Sequence, residues 1–382
     1  MVKTPSWEPG VRGIPAQYTS TRGAARGQSS SAHVATVAIL QPPSQSPPHP
    51  AAVFVKARTP SRIQKVTTPM IKRIGITVVA AWALLSASSG FAQVAQVRVE
   101  PNVVYGMVSG TALLMDVYRP SQPNGLGIVW VSGNGWATDP DYGTRGLKEG
   151  PNTQAWAKSL AEAGYTVFCA NVRTTPVFRY PAPLEDVRRA IRFVRHNAAG
   201  YGVDPRRIGG LGFSSGAQLM AMAGMTVGTT AANGDPVEQE SGALQALVLR
   251  AGPFDLTDGS SNAGNKGALL GMAPPAANAA RTSAAWRTYA AASPLFHASP
   301  ATPPTLLIHG DADQSVSIEQ SRLLEKRLLE LLVPTKLITI PGGTHGGVRF
   351  GLADNAQAPA NWPDYLGEMA GWFDRHLRAS SR

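Results

Sequence analysis

From residue 95 onward, short apolar runs alternate with amphipathic stretches, and this alternation limits the possible folds more than any other feature of the 382-residue chain. Gly127-Ile-Val-Trp-Val-Ser132 is nearly continuous in apolar residues, as a strand buried on both faces must be. Tyr165–Asn171, Ile208–Phe213, Leu244–Leu249, Thr305–Ile308 and Lys336–Ile340 read as further strands, and Val97–Glu100 with Thr111–Tyr118 as an opening antiparallel hairpin. Between them, Asn152–Ala163, Leu184–Asn197, Ser215–Met225, Ile318–Leu332 and Asp364–Arg378 read as helices. In the second of these, Val187, Ile191 and Val194 share one side and the charges take the other. Strands alternating with helices of this length predict an α/β fold, a mostly parallel sheet covered on both faces. Residues 227–243 and 256–292, rich in Gly, Ala and Asn, read as irregular rim or lid segments.

The chain before residue 93 differs in kind. Residues 1–69 are rich in Pro, Ser, Ala and Arg and carry no sustained apolar period, so they bury too little to offset the entropy of ordering. Residues 70–92 begin Met-Ile-Lys-Arg, continue through an apolar run and end in Ser-Gly-Phe-Ala, the layout of a signal peptide cut after Ala92. The run is shorter than the roughly 20 residues of a membrane span. The expected product is a secreted or periplasmic domain over residues 93–382 with no stable membrane anchor, and translation is expected to begin at Met70. That domain holds 25 Lys+Arg against 23 Asp+Glu, so the formal charge of +11 belongs mainly to the leader and nothing argues for a nucleic-acid partner. Cys169 is the only cysteine, which excludes an intrachain disulfide and a structural zinc site built on several thiolates.

Gly212-Phe213-Ser214-Ser215-Gly216 joins a strand to a helix. A G-x-S-x-G elbow puts its middle serine on a strained turn while the glycines admit neighbouring backbone, so Ser214 is the candidate nucleophile. Ser215 falls at the first helical turn, where a backbone N–H is unpaired and faces the reacting centre. A serine hydroxyl needs a base, and the base an orienting carboxylate. Downstream, His345 lies in Pro341-Gly-Gly-Thr-His-Gly-Gly, just after the last strand, where a base would be presented. His309 ends a strand and reads as structural; His297 lacks a glycine setting, and His376 sits in the last helix. For the acid, Asp311 and Asp313 both follow the Thr305–Ile308 strand, and one of them has the alternative of capping the next turn.

In these motifs the chain resembles the α/β-hydrolase superfamily, in its esterase/lipase branch related to hormone-sensitive lipase and the small bacterial feruloyl and acetyl esterases. The resemblance rests on Gly212–Gly216, on His309-Gly-Asp-Ala-Asp313-Gln-Ser-Val316 and on Gly342-Gly-Thr-His345-Gly346, with support from Tyr180–Val194 and Ser293-Pro-Leu295, and covers residues 105–378. It implies the α/β-hydrolase fold, with a central sheet of about eight strands, and it favours Asp313 over Asp311 as the acid. The family's H-G-G-G-W oxyanion loop stands here as Ser132-Gly-Asn-Gly-Trp136. The resemblance therefore implies an oxyanion hole built from the backbone N–H groups of Asn134, Gly135 and Ser215, with Trp136 either walling the acyl pocket or packing. Phe178, Phe254 and Trp286 face the same alternative.

The implied reaction is ester hydrolysis through an acyl-enzyme, with Ser214, Asp313 and His345 and without metal or organic cofactor. The partner is a small or polymer-linked ester, carbohydrate and phenolic esters included. An amidase or peptidase of the same fold and a catalytically dead binding protein are the alternatives. Residues 93–126 are too few to build the propeller of a prolyl-oligopeptidase-type enzyme.

Overall fold

Arg98–Val108 (β1) and Thr111–Arg119 (β2) form an antiparallel hairpin whose turn residues, Ser109 and Gly110, both have positive φ, as a two-residue type I′ turn requires. The computed structural model describes residues 96–139, 141, 144–228, 234–258, 263–345 and 362–379. All belong to the second of the two units into which the chain divides, Val79–Arg382. The predicted extension and signal peptide, residues 1–92, lie outside the described residues.

The hairpin is one edge of an eight-stranded sheet of order β1-β2-β4-β3-β5-β6-β7-β8. The other strands are Gly127–Val131 (β3), Thr166–Ala170 (β4), Ile208–Phe213 (β5), Ala246–Arg250 (β6), Thr305–Gly310 (β7) and Thr335–Ile340 (β8). β2 pairs antiparallel with β4, and from β4 to β8 every pairing is parallel. This is the fold implied by the resemblance.

Every residue of β3, β4 and β6 is buried, because helices cover both faces. Ala182–His196 (α2) and Ser215–Met225 (α3) pack over one apolar cluster with Val129, Val131, Phe168 and Leu249. Pro151–Glu162 (α1) and Tyr365–Ala379 (α7) cover the other with Ile128, Trp130, Val167 and Val248. Consecutive strand residues thus feed opposite clusters, the two-residue period of a pleated strand. On α2, Val187, Ile191 and Val194 are fully buried, while Arg189 and Arg192 reach across to Glu238.

The segment read as irregular over 256–292 contains two helices, Ala263–Leu270 (α4) and Ala284–Ala291 (α5), and Pro236–Gln239 forms a 3-10 turn. α5 is capped by Ser283, whose side chain accepts the Trp286 N–H. Glu319–Glu330 (α6) follows β7. Among the described residues no helix is long and apolar enough to cross a membrane.

Candidate active site

Because β3, β5, β7 and β8 run parallel, their carboxyl ends open on one edge of the sheet, and the four loops that leave them carry the predicted site residues. Ser214 follows β5 at φ 53°, ψ −125°, a backbone conformation a non-glycine residue adopts only where its surroundings impose it. Its N–H is held by the Arg250 carbonyl at 2.9 Å. A Cβ on Gly216 would overlap the carbonyls of Val131 and Ser132, and one on Gly212 the Ala217 backbone, so strand β3 and helix α3 close on the elbow only because both positions are glycine.

The three residues of the predicted relay meet. His345 Nε2 stands 2.9 Å from Ser214 Oγ, and His345 Nδ1 stands 2.7 Å from Asp313 Oδ2. A carboxylate only accepts, so the imidazole carries its proton on Nδ1, and Nε2 is left to accept the serine O–H. The Asp313 side chain is fully buried. Burial pushes its carboxyl pKa up, but hydrogen bonds from His309, His345 and the Val316 N–H outweigh this and hold it well below the usual aspartate range. The acid is therefore a carboxylate at neutral pH.

His309, read from sequence as structural, is the carboxylate's second neighbour. Fully buried, it lies with Nε2 2.9 Å from the Val316 carbonyl and 3.3 Å from Asp313 Oδ2, and with Nδ1 2.7 Å from Ser321 Oγ. Asp313 Oδ1 is in turn bound by the N–H groups of Ser315 and Val316. Asp311 is exposed and accepts the Gly342 N–H at 2.6 Å, which ties the acid's turn to the turn that presents His345. His297 and His376 are not brought to the relay: His297 Nε2 meets the Ala291 carbonyl, and His376 packs on Trp372.

Two assignments in the oxyanion loop change. The Asn134 N–H donates to Ser215 Oγ at 3.0 Å and so is already engaged within the protein. The Asn134 amide is likewise committed, to Thr138 Oγ1 at 2.8 Å. The available donors are then Gly135, whose N–H has no acceptor among the described residues, and Ser215, at the open start of α3. Trp136 is no pocket wall. Only 2 % exposed, it packs in the core with its indole N–H on Gln218 Oε1 at 2.9 Å. Its φ is 61°. Phe254 is fully buried as well, whereas Phe178 and Trp286 are half-buried.

Beside the oxyanion loop lies a cavity of about 270 Å³, lined in part by Thr138, Asn171, Arg173 and Phe178. The Arg173 guanidinium there is neutralised by two-oxygen contact with Asp186 and lies 5.3 Å from the Phe178 ring. A larger groove, of about 1330 Å³, contains Val97, Tyr118, Lys158 and Gly164 and none of the relay. Among the described residues no group of three or more His, Cys, Asp or Glu is arranged to hold a metal ion.

A serine elbow after β5 in hydrogen-bonded contact with a histidine after β8, itself bonded to an aspartate after β7, on a sheet of this order, defines an α/β-hydrolase. Within that class the chain belongs to the BD-FAE family, whose model matches residues 115–328. It is 27% identical to esterase LipC and 30% identical to esterase LipQ, both of Mycobacterium tuberculosis, over 67% and 71% of its own length. The matches span 60% and 62% of those relatives. Among solved structures it is similar to a truncated carbohydrate esterase from gut microbiota (TM-score 0.61, 26% identity, 75% of this chain and 98% of that one). It is also similar to an acetyl ester-xyloside bifunctional hydrolase from Caldicellulosiruptor lactoaceticus (TM-score 0.58, 27% identity, 75% and 98%).

Proposed function

We propose that the protein is a carboxylic-ester hydrolase that works through an acyl-enzyme on Ser214. The observation that carries this reading is the continuous relay, 2.9 Å from hydroxyl to imidazole and 2.7 Å from imidazole to carboxylate. As Ser214 Oγ attacks the ester carbonyl, its proton passes to His345 Nε2, and the imidazolium is stabilised by Asp313. The carbonyl oxygen becomes an oxyanion received by the N–H groups of Gly135 and Ser215. Collapse breaks the ester C–O bond, and His345 returns the proton to the leaving alcohol. Water, deprotonated by the same imidazole, then attacks the acyl group and releases the acid with Ser214 restored.

The esterase relatives support an ester substrate, and the carbohydrate-esterase and acetyl ester-xyloside neighbours support a small acyl group carried on a sugar. We propose further that the mature domain is secreted, on the strength of the signal layout in residues 70–92.

The test is turnover of p-nitrophenyl acetate by wild type and Ser214→Ala, alongside labelling by an organophosphate. Loss of both turnover and label in the variant is expected; turnover retained by Ser214→Ala overturns the reading. Rates on p-nitrophenyl esters above those on the matching anilides separate an esterase from an amidase.

A further inference from the structure

The residue after the nucleophile contributes its backbone N–H to the chemistry. Here its side chain is a hydroxyl, and it is buried: Ser215 is 3 % exposed. A buried hydroxyl is costly unless it is hydrogen-bonded. Ser215 Oγ takes the N–H of Asn134, 81 residues earlier in the chain, at 3.0 Å.

The loop that supplies this N–H needs holding. Gly135 at φ 68° and Trp136 at φ 61° are consecutive left-handed residues, and for a tryptophan that conformation persists only where neighbours impose it. Several restraints act on Trp136 and beyond. Its carbonyl accepts the Thr175 N–H at 2.8 Å, its indole donates to Gln218, and the Ala137 N–H closes back on the Asn134 carbonyl at 3.4 Å. On the other side, Gly133 lies so close to the elbow that a Cβ there would strike the Phe213 carbonyl and Ser214 Cβ. The bond to Ser215 Oγ acts between these two sets, on the peptide unit immediately before the Gly135 N–H.

We infer that the Ser215 hydroxyl is a positioning group for the oxyanion hole: by gripping the Asn134 N–H it sets the Gly135 N–H against the reacting carbonyl, and it fixes the hole at two backbone donors, Gly135 and Ser215. The doubled serine therefore divides the work, Ser214 attacking and Ser215 aligning the loop that receives the charge. This inference rests on the esterase reading of the site.

The experiment compares Ser215→Ala and Ser215→Cys with wild type on p-nitrophenyl acetate and on its thiono analogue, in which sulfur replaces the carbonyl oxygen and accepts hydrogen bonds poorly. Rates are taken per active site titrated with an organophosphate. For both variants kcat on the oxygen ester is expected to fall about 10- to 100-fold, the scale of a misplaced catalytic group, with KM within about twofold. The ratio of oxygen-ester to thionoester rates is expected to shrink, because only the oxygen ester uses the hole fully. A kcat equal to or above wild type overturns the inference, since the hydroxyl would then be a bystander or a competitor for a third donor. A lower kcat with an unchanged ratio also overturns it, because the defect would lie outside the hole. Ser214→Ala, assayed in parallel, keeps the two readings apart: if it is active the esterase reading fails, and if it is inactive beside a fully active Ser215→Ala only the present inference fails.

Discussion

Arg250 holds both halves of the relay: its carbonyl receives the Ser214 N–H at 2.9 Å, and its guanidinium donates to the His345 carbonyl at 3.2 Å. The guanidinium also lies 4.6 Å from the centre of the Phe213 ring, which stands 5.1 Å from the imidazole. Ser214 and His345 are thus referenced to one residue, on the strand between those that lead to Ser214 and Asp313.

That arrangement has a cost in stability. Burial of Arg250 pulls its pKa down to about 9. A cation whose folded pKa lies below its unfolded one penalises folding at every pH below the folded value, and the penalty fades only above about 9. Arg250→Met, apolar and of similar length, is expected to melt no lower than wild type at pH 7 while losing about tenfold in kcat. Thermal melts alongside steady-state rates check this; a large fall in Tm with unchanged kcat would mean that Arg250 is packing alone.

Asp313 gives the opposite sign. Its folded pKa is depressed, so it contributes stability above the unfolded carboxylate pKa, and that contribution is lost as pH falls through the folded value. Asp313→Asn should lose roughly 10⁴-fold in kcat, by analogy with the serine-protease example in which the same change leaves the wrong imidazole tautomer. Its unfolding free energy should also fall less steeply than that of wild type between about pH 5 and pH 3. Denaturant titrations across that range measure the difference.

Removing the buried imidazole tests the support beneath the acid. His309→Leu takes from Asp313 the imidazole nitrogen that lies 3.3 Å from Oδ2 and helps hold the carboxyl pKa down. The acid limb of the pH–kcat/KM profile is expected to move, with kcat down by about 10- to 100-fold, as for the loss of a partner that orients a reacting group. Wild-type limb positions in this variant would confine His309 to packing.

Trp136→Phe separates core from pocket. It deletes the indole N–H bound to the Gln218 oxygen, which stays buried, so about 1–3 kcal/mol of stability should go. KM for short and long acyl esters should hardly change, because the ring faces no substrate. A chain-length-dependent rise in KM would return Trp136 to the acyl pocket.

Much of this was legible in the chain because burial on both faces leaves a strand no choice but a run such as Gly127–Val131. The elbow was legible because two glycines are needed where backbones touch, at Gly212 and Gly216. The helices α4 and α5 were not, since alanine-rich stretches such as Ala284–Ala291 mark no face and carry little periodicity. Nor was the direction of a peptide N–H: position in the loop suggests that Asn134 can donate, but only the folded contact with Ser215 says where it donates. Arg250 follows the apolar run Leu244–Leu249, and nothing nearby in sequence announces its reach to His345. His309 lies near the end of β7, but its touch on Asp313 arises from a turn that its own residues do not reveal.

Strand order carries one last consequence. Serine and acid leave β5 and β7 with β6 between them, about 9.6 Å away at the usual inter-strand pitch, and β8 adds one further step for the base. That pitch is set by main-chain bonding and is indifferent to side chains. The scaffold therefore acts as a ruler with fixed graduations, and whatever overhangs the ruler can be exchanged for a new clientele of esters without re-measuring the machinery beneath.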